Sequence, residues 1–139
     1  MLESSINGTL VTLRKDGRPI ALPVWFVVLD HKIYISTRGK KLTRVRNDPR
    51  CAFLVEAGER WAELRAVHVE GEGRVIDPSA ELMARITTAM GNKYAAYRTA
   101  SQAMPAATRQ HYDQAVRGII ELEPVGKLLN WDNRRLDVS

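Results

Sequence analysis

The run of residues 19–29 constrains the fold more than any other part of the sequence, because every residue in it is apolar. A half-exposed strand alternates polar and apolar residues, whereas a strand that is apolar throughout is buried on both faces. One face of this strand fits the interior of a barrel, and the other fits a dimer interface or a bound ligand. Pro23 cannot donate a hydrogen bond to a neighbouring strand, so it marks a sheet edge or a bulge within the run.

Turn signals and β-branched residues around this run predict a mainly β protein. A strand is expected over Gly8–Leu13, and the turn dipeptide Asp16-Gly17 joins it to the apolar run as a hairpin. Asp30-His31 makes a second tight turn. Later strands are expected over residues 32–37, 50–56, 61–76, 118–123 and 127–131. Within the long strand, Gly71 and Gly73 lie on the predicted inner face, which indicates curvature or a close backbone approach.

Two segments have helical patterns. Leu42 and Val45 are three residues apart in a basic segment that ends before Pro49, which predicts a short helix with one buried side. Asp77 and Pro78 predict the N-cap and the first position of a second helix. Its apolar stripe consists of Leu82, Ile86, Met90, Tyr94 and Tyr97, and a further helical stretch is expected over residues 105–116. Strands on both sides of this insertion predict one α+β, mainly β domain over residues 1–139, built on a closed or nearly closed barrel.

The charge of the chain favours an anionic partner. It carries 21 lysines and arginines against 16 acidic residues, a formal net charge of +5. A phosphorylated cofactor, a nucleic acid or an anionic membrane surface would each suit this balance. No apolar run approaches the roughly 20 residues that span a bilayer, and the N-terminus lacks a secretory signal, so we expect a cytoplasmic protein with no membrane partner. Cys51 is the single cysteine and is expected in the core.

Residues 36–46 are the best candidate for a phosphate-binding site. The segment follows a predicted strand, opens with hydroxyls and a glycine, and continues as the short basic helix. Free backbone N–H groups, the positive end of the helix dipole and cationic side chains meet at such a helix start. The alternative is a solvated basic helix that only balances charge.

The sequence lacks the common catalytic constellations. His31, His68 and His111 fall in a predicted turn, strand and helix, without the spacing of a metal site. No serine has a base partner or an elbow motif, and no phosphate-binding glycine loop occurs. A phosphate site beside a doubly apolar strand that carries Trp25 instead suits a flat aromatic cofactor, which itself performs the redox step. For Trp25 and for Trp131, the alternative is a place in the core.

Several segments, in their order and spacing, resemble the pyridoxamine 5′-phosphate oxidase-like superfamily. They are Gly-Thr-Leu-Val-Thr-Leu from residue 8, Asp-Gly-Arg-Pro from residue 16, Pro-Val-Trp-Phe from residue 23, residues 41–50 with their final Asp-Pro-Arg, and Val-Glu-Gly from residue 69. The chain is similar in particular to the small flavin and deazaflavin oxidoreductases of that superfamily. The similarity runs over residues 8–76, and the closing Trp-Asp-Asn-Arg-Arg-Leu from residue 131 fits the same pattern.

This resemblance implies a split β-barrel of the FMN-binding-protein type, with a helix after the third strand and a helical insertion before the last strands. It also implies a homodimer with two cofactor sites at the subunit interface. Lys41 and the hydroxyl and basic residues before it would hold the cofactor phosphate, and the Pro-Val-Trp segment would lie beside the ring system. The expected cofactor-binding residues are Pro23, Val24, Trp25, Ser36, Thr37, Arg38, Lys40, Lys41 and Trp131. No catalytic side chain is expected, because the cofactor carries the chemistry.

The expected function is that of an oxidoreductase, which transfers a hydride between F420 or FMN and a small conjugated organic substrate. The short chain and the basic residues 41–50 favour F420. The family's N-terminal helix is nearly absent, and the residues that hold pyridoxal substrates have no match, so vitamin B6 synthesis is not expected. The first alternative is a protein that binds or sequesters a flavin, F420 or haem without turnover. Nucleic-acid binding is not expected, because no aromatic residue lies between Thr37 and Arg50.

Overall fold

The computed structural model describes residues 2, 4–97 and 117–135. In this part of the chain an eight-stranded antiparallel sheet dominates, and two α-helices pack against it. The strands are β1 (Gly8–Leu13), β2 (Pro19–Val24), β3 (Phe26–Leu29), β4 (Lys32–Arg38), β5 (Arg50–Ala57), β6 (Arg65–Ile76), β7 (Arg117–Pro124) and β8 (Leu129–Asp132), and the helices are α1 (Lys40–Asn47) and α2 (Ala80–Tyr94). The stretch expected to be helical over residues 105–116 lies outside the described residues. In the described ranges, no helix has the length and apolar character that a bilayer crossing requires.

The sheet curls into a half-barrel because its two edge strands are neighbours in the chain. The strand order is β2-β1-β5-β6-β7-β4-β3, with β8 paired to β6. β2 ends at Val24 and β3 begins at Phe26, so Trp25 alone connects the two edges. A sheet whose edges are one residue apart in the chain must curl upon itself. The predicted mainly β split barrel is thus confirmed.

The apolar run of residues 19–29 forms two strands, and the prediction of one continuous strand is wrong. Its halves lie on opposite edges of the sheet, with Pro23 on the edge strand β2, as its missing N–H requires. Burial on both faces holds for Phe26 and Val27, which point to opposite sides of β3, whereas alternate residues of β2 are exposed. Because the run is divided, the helix expected after the third strand follows the fourth strand, β4.

The long strand β6 largely follows its predicted pattern. Over its middle, the inward residues are buried and the outward residues are more exposed, as the alternation predicts. Gly71 is on the inner side, where a Cβ atom would lie 2.6 Å from the carbonyl oxygen of Glu123. Glycine therefore lets β7 approach β6 closely, as expected. The strand begins at Arg65 and not at residue 61, because Trp61–Glu63 forms a 3₁₀ turn.

The barrel interior is filled by inward side chains of the strands, and α1 covers one end of it. The buried cluster consists of Leu10, Val24, Phe26, Ile33, Ile35, Leu42, Val45, Cys51, Phe53, Val55, Val67, Val69, Ile120 and Leu122. Leu42 and Val45 belong to α1, which confirms the predicted buried side of the basic helix. Leu42 packs against Gly118, where a Cβ atom would lie 2.9 Å from its side chain. Cys51 is a core residue, as expected, and burial raises the pKa of its thiol to about 11.

The second helix, α2, packs on the outside of the barrel. The buried cluster here consists of Val27, Tyr34 and Ile119 from the sheet and Ile86, Met90 and Tyr94 from α2. The N-cap is Ser79 and not the predicted Asp77, because the Ser79 hydroxyl accepts a hydrogen bond from the Leu82 N–H at 3.2 Å. Tyr97 lies beyond the end of α2 and is 57% exposed, so it does not extend the buried stripe.

The Tyr94 hydroxyl ties three parts of the chain together at the joint between β2 and β3. It accepts a hydrogen bond from the Phe26 N–H at 2.8 Å. It also lies 2.8 Å from the carbonyl oxygen of Ile6 and 2.9 Å from that of Phe26, and either oxygen can accept its proton. The Lys93 ammonium donates to the same Phe26 carbonyl at 3.0 Å and lies 3.5 Å from the centroid of the Phe26 ring. The C-terminal end of α2 thus fixes the residue at which β3 begins.

Replacing Tyr94 with phenylalanine should destabilise the fold, because the buried Phe26 N–H loses its partner. An unsatisfied buried donor costs about 1–3 kcal/mol, so the free energy of unfolding in urea should fall by about that amount. Tyr97→Phe removes an exposed hydroxyl and is the matched control, which should unfold like the wild type. A Tyr94→Phe protein as stable as this control would contradict the role of the hydroxyl.

Glu121 is a buried carboxylate on the outer side of β7, and its cross-strand neighbours compensate its charge. It accepts a 3.0 Å hydrogen bond from the Tyr34 hydroxyl and another from the Arg74 guanidinium, and the Lys32 ammonium lies 3.6 Å away. Burial acts to raise the pKa of this carboxyl, but the hydrogen bonds from Arg74 and Tyr34, together with the positive charges of Lys32 and Arg74, lower the pKa overall. Burial, followed by the hydrogen bond to Glu121, raises the pKa of Tyr34 to about 12.

The lowered pKa of Glu121 should make the fold sensitive to acid. Because the folded-state pKa lies below the unfolded value of 4.5, the carboxylate stabilises the fold above that value and loses this effect as the pH falls through the folded pKa. Glu121→Gln should unfold at a lower temperature than the wild type at neutral pH. Between about pH 5 and about pH 3, however, the midpoint temperature of its thermal unfolding should fall less than that of the wild type. Glu123→Gln, at an exposed position of the same strand, is the control. An equal fall of the unfolding midpoint between about pH 5 and about pH 3 in all three proteins would refute the prediction.

Candidate functional site

A cavity of about 320 Å³ lies between α2 and the outer face of the sheet. Its lining residues are Trp25, Ser36, Met83, Ile86, Thr87, Met90, Arg117, Gly118 and Ile119. Two residues that are predicted to bind a cofactor, Trp25 and Ser36, are thus brought together at one cavity. Its volume is at the lower end of the range for small-molecule sites, about 300–1,000 Å³.

The walls of this α2 cavity are mostly apolar and are fixed by packing. The lining residues of α2 recur at intervals of three and four, so they form one face of the helix. The indole of Trp25 stacks on the ring of Tyr94, with centroids 4.2 Å apart and planes inclined by 8°. Tyr94 is fully buried. One face of the indole is therefore covered, and its orientation is set by the core and does not depend on a ligand.

The strand β4 places the predicted hydroxyl and basic residues on two different sides. Because side chains alternate along a strand, Arg38 shares the cavity side with Ser36. Thr37 lies on the opposite side and is paired with Gly118, against which Leu42 packs. The structure therefore brings Ser36 and Arg38 to one side of the strand, and it directs Thr37 away from them.

The helix α1 begins directly after this strand. Gly39 turns the chain into the helix with a φ of +74°, a backbone conformation that glycine adopts without strain. Among the described residues, no side chain caps the N-terminus of α1, so its first N–H groups and the positive end of its dipole can serve an anion. Lys40 is exposed and Lys41 is half-buried, and neither forms an ion pair with another described residue. These donors are the ones that the sequence predicts for the phosphate.

Two residues that are predicted to lie beside the ring system, Pro23 and Val24, are placed elsewhere. Val24 is 6% exposed and belongs to the barrel interior, so its side chain points away from the outer cavities. Pro23 lies on the outer side of β2, opposite Thr9. Of the Pro-Val-Trp segment, only Trp25 lines the α2 cavity.

A larger cleft of about 1080 Å³ contains the last predicted residue, Trp131. The cleft is lined by Ser4, Ser5, Ile6, Asn7, Thr9, Leu54, Glu56, Ala57, Arg65, Ala66, Val67, Asn130, Trp131, Asp132, Arg134 and Arg135. Trp131 is 50% exposed and meets Trp61 edge to face, with ring centroids 6.0 Å apart. The two cavities share no lining residue. Within one chain, therefore, Trp131 does not join the site that contains Trp25.

Asn133 holds the two tryptophans of the large cleft in place, and no sequence signal identifies it. It is 2% exposed, although it lies in a short 3₁₀ turn near the end of the described chain. Its backbone N–H donates to the Leu64 carbonyl at 2.8 Å, and its side-chain amide donates to the Trp61 carbonyl at 2.7 Å. Its side-chain oxygen accepts a hydrogen bond from the indole N–H of Trp131. A single buried amide thus links the turns that carry both indoles.

The large cleft has a positive balance of charge, with three arginines against two acidic residues in its lining. Asp132 accepts hydrogen bonds from the Arg134 guanidinium at 2.8 and 2.9 Å, and Arg135 lies 3.6 Å away. The hydrogen bonds from Arg134 lower the pKa of the Asp132 carboxyl to about 2. Arg65 is opposite Asp132 on the neighbouring strand β6. The cleft therefore stays charged throughout the physiological range of pH.

Sequence reasoning does not identify Arg117, Met83 or Thr87 as cavity residues. Met83 and Thr87 each follow a residue of the predicted apolar stripe, so their positions on the helix surface are adjacent to the buried face and carry no separate signal. Arg117 precedes the predicted strand over residues 118–123 by one position. Its place opposite Arg38 follows from the register of β4 and β7, which the sequence does not display.

The donors in the α2 cavity and at the start of α1 suit an anionic ligand with a flat body. They are cationic, hydroxyl and backbone N–H groups beside an indole and two thioethers. Across the described ranges, no group of three His, Cys, Asp or Glu residues is placed to hold a metal ion.

Comparison with known proteins agrees with this architecture. The family model for pyridoxamine 5′-phosphate oxidase matches residues 1–125. No curated protein matches the chain. The crystal structure of the conserved hypothetical protein Rv2991 from Mycobacterium tuberculosis is similar, with a TM-score of 0.74 and 26% identity over 99% of this chain and 87% of that chain.

Two further structures share the fold at lower identity. An F420 reductase gives a TM-score of 0.62 at 22% identity, over 92% of this chain and 92% of that chain. HutZ, a haem storage protein from Vibrio cholerae, gives a TM-score of 0.68 at 13% identity, over 90% of this chain and 85% of that chain. These likenesses show the fold alone. Because the family model covers most of the sequence, the chain belongs to the pyridoxamine 5′-phosphate oxidase family.

Proposed function

We propose that this protein is an oxidoreductase, which binds F420 or FMN and transfers a hydride between that cofactor and a small conjugated organic substrate. The observation that carries the proposal is the junction of β4 and α1 beside the α2 cavity. It combines cationic donors for a phosphate with an apolar cavity lined by Trp25, whose indole is fixed by stacking on Tyr94. Membership of the pyridoxamine 5′-phosphate oxidase family supports a flavin-type cofactor.

The described residues fit the two parts of such a cofactor, its phosphate and its ring. Lys40, Lys41 and the first N–H groups of α1 would hold the phosphate through charge-assisted hydrogen bonds. Trp25 and the lining residues of α2 would pack against a flat ring and exclude water from one side of it. When bound, the cofactor would supply the hydride chemistry. The protein's own residues would bind, orient and shield the reacting groups.

F420 is the preferred candidate of the two cofactors. The F420 reductase shares the fold over 92% of both chains, at 22% identity. In addition, residues 41–50 contain several cations beyond the first turn of α1. An anionic tail that extends along α1 would reach these cations.

Lys41→Ala should weaken cofactor binding, because it removes a cation from the start of α1. A hydrogen bond to a charged group contributes roughly 1.5–3 kcal/mol, so the dissociation constant should rise about tenfold to a hundredfold. Fluorescence titration with F420 and with FMN measures the constants. Lys15→Ala is the matched control, since it removes an exposed lysine from the turn between β1 and β2 and should bind like the wild type.

Two negative results of this titration have different meanings. A folded wild-type protein that binds neither cofactor saturably would overturn the proposed function. Unchanged affinity in Lys41→Ala, with the wild type binding normally, would remove Lys41 from the site and leave the function in place.

A protein that binds the cofactor or haem without turnover is the second candidate. The haem storage protein HutZ has the same fold, and the same cavities would serve a stored ligand. Turnover separates the two candidates. Oxidation of bound reduced F420 or FMN by conjugated acceptors, followed by absorbance, supports the oxidoreductase. A cofactor that keeps its redox state with every acceptor, or tight binding of haem alone, supports storage.

We also propose that two copies of the chain form a homodimer through the outer face of β1, β2 and β5. The outward residues of this face are Thr9, Val11 and Leu13 of β1, Pro19, Ala21 and Pro23 of β2, and Ala52 and Leu54 of β5. They are half-buried or exposed, and none belongs to either buried cluster. A contiguous and mostly apolar surface of this kind favours contact with another protein surface.

The position of Trp131 supports the same arrangement. Trp25 and Trp131 line different cavities of one chain. A cofactor that contacts both residues would therefore lie between two protomers. The large cleft includes Thr9 and Leu54, so it borders the proposed dimer surface.

Val11→Lys should convert the dimer into monomers, because Val11 lies in the middle of the proposed surface, between Ala21 and Ala52. Burying two unpaired ammonium groups at a two-fold contact costs several kcal/mol. Size-exclusion chromatography with light scattering measures the mass. Thr88→Lys adds the same charge on the exposed side of α2 and should leave the mass unchanged. A wild-type protein that is monomeric at all concentrations would rule out the dimer.

A further inference from the structure

We propose that the hydroxyl groups of Ser36 and Thr87 act as a pair in the α2 cavity, and that this pair holds a neutral carbonyl oxygen of a flat conjugated ligand that lies on the indole of Trp25. The inference rests on the proposed function, because it takes this cavity to be a ligand site, and it names the uncharged group that the site recognises. The carbonyl has two sources, the ring of a flavin-type cofactor and a conjugated ketone or quinone substrate, which the experiment below separates.

The two hydroxyls come from opposite walls of the cavity. Ser36 lies on the outer face of β4, paired with Ile119 of β7, and both residues line the cavity. Thr87 lies on α2, four residues after Met83 and three before Met90, and all three line the cavity. Because residues three and four apart are neighbours on a helix surface, Thr87 lies between the two methionines. The strand and the helix therefore each present one hydroxyl to the space between them.

Both hydroxyls can accept a new partner. Neither forms a hydrogen bond with another residue in the described part of the chain. No buried side-chain oxygen or nitrogen in that part lacks a partner, so the Ser36 hydroxyl is accessible, and Thr87 is an exposed residue. A hydroxyl donates one hydrogen bond, and a carbonyl oxygen can accept from two donors at once. One carbonyl of a ligand can therefore satisfy both side chains.

Trp25 supplies the surface on which a flat group would lie. One face of its indole is covered by Tyr94, and the residue is half-buried and lines the cavity. The thioethers of Met83 and Met90 make favourable contacts with aromatic rings, and Ile86 adds a further apolar side chain. A volume of about 320 Å³ accommodates a small ring compound or one edge of a larger ring system.

A neutral oxygen suits these walls better than a carboxylate or a phosphate. Arg117 is the charged residue of the described lining, and it already has an interaction partner. An anion that enters a mostly apolar cavity without a cation of its own loses its hydration at a high cost, whereas a carbonyl loses less. Hydrogen bonds to that carbonyl are strengthened where apolar walls exclude water. The ligand class that fits is a flat conjugated ketone, a quinone or a ring carbonyl.

This assignment changes the role expected of Ser36. The sequence groups Ser36 with Lys40 and Lys41 as a residue for the cofactor phosphate. In the structure Ser36 lines the α2 cavity, whereas the two lysines follow the turn at Gly39 and do not line it. Substitution of Ser36 or Thr87 therefore tests a different contact from substitution of Lys41.

Three probes with the same styryl body and different ends test the inference. Benzylideneacetone ends in a methyl ketone, cinnamate in a carboxylate, and 1-phenyl-1-butene has a methylene where the ketone has its carbonyl. FMN is a further probe and represents the cofactor ring. Calorimetric titration gives the affinity of each probe for the wild type, Ser36→Ala, Thr87→Val and Thr88→Val. Thr88→Val removes the same hydroxyl from the next residue of α2, which is exposed and does not line the cavity, and is the matched control.

Ser36→Ala and Thr87→Val should each lose about threefold to tenfold of affinity for benzylideneacetone, for FMN or for both. Their affinity for 1-phenyl-1-butene should not fall, and every affinity of Thr88→Val should equal that of the wild type. A loss confined to FMN assigns the carbonyl to the cofactor ring, and a loss confined to the ketone assigns it to the substrate. Thr87→Ser keeps the hydroxyl and should bind like the wild type. Thr87→Ala replaces Thr87→Val if circular dichroism shows that the valine variant does not fold.

The carbonyl stretching band of the bound ketone or flavin gives a second measurement, because a hydrogen bond to the oxygen lowers its infrared frequency. For the probe whose affinity falls, the band should move to a higher frequency in Thr87→Val and stay in place in Thr88→Val. A loss of affinity without this shift would mean that Thr87 only shapes the cavity, and it would overturn the inference.

Failure of the inference and failure of the proposed function give different results. If the wild type binds FMN or F420 and both hydroxyl variants bind every probe equally well, the function stands and the inference is overturned. If the ketone binds through the two hydroxyls but neither cofactor binds, the function is overturned and the hydroxyl pair stands. A wild-type protein that prefers cinnamate to benzylideneacetone overturns the assignment of a neutral carbonyl.

Discussion

The joint at Trp25 is the constraint on which the rest of the structure depends. One residue connects the two edges of the sheet, so the curl of the sheet, the start of β3 and the placement of the indole are set together. Tyr94 secures this joint from α2, through hydrogen bonds to the Phe26 backbone and by stacking on Trp25. The helix that covers the small cavity therefore also holds the joint between the two sheet edges, and the same contacts stabilise the site and the fold.

Most elements of the fold could be predicted because their signals are local. The Asp16-Gly17 turn, the alternation along β6 and the stripe of Ile86, Met90 and Tyr94 each depend on neighbours in the sequence. The division of residues 19–29 at Trp25 could not be predicted, because the apolar pattern continues across it. Only pairing with β1 on one side and β4 on the other separates the two halves.

The candidate site was less predictable than the fold, because its residues come from elements that the register and the helix packing bring together. Trp25 and Ser36 line the same cavity. Strand alternation separates Thr37 from Ser36, and Trp131 lies in a different cleft. Arg117 reaches the cavity only through the pairing of β4 with β7, a long-range contact that no local pattern encodes.

Two sets of residues in α2 have different roles. Ile86, Met90 and Tyr94 anchor it to the barrel, whereas Met83 and Thr87 line the cavity without belonging to the buried cluster. Changes at Met83 and Thr87 would alter the size and polarity of the cavity and leave the anchoring contacts intact. Ligand preference in this architecture can therefore change through two surface positions of one helix, while the curled sheet and its packing against α2 are kept.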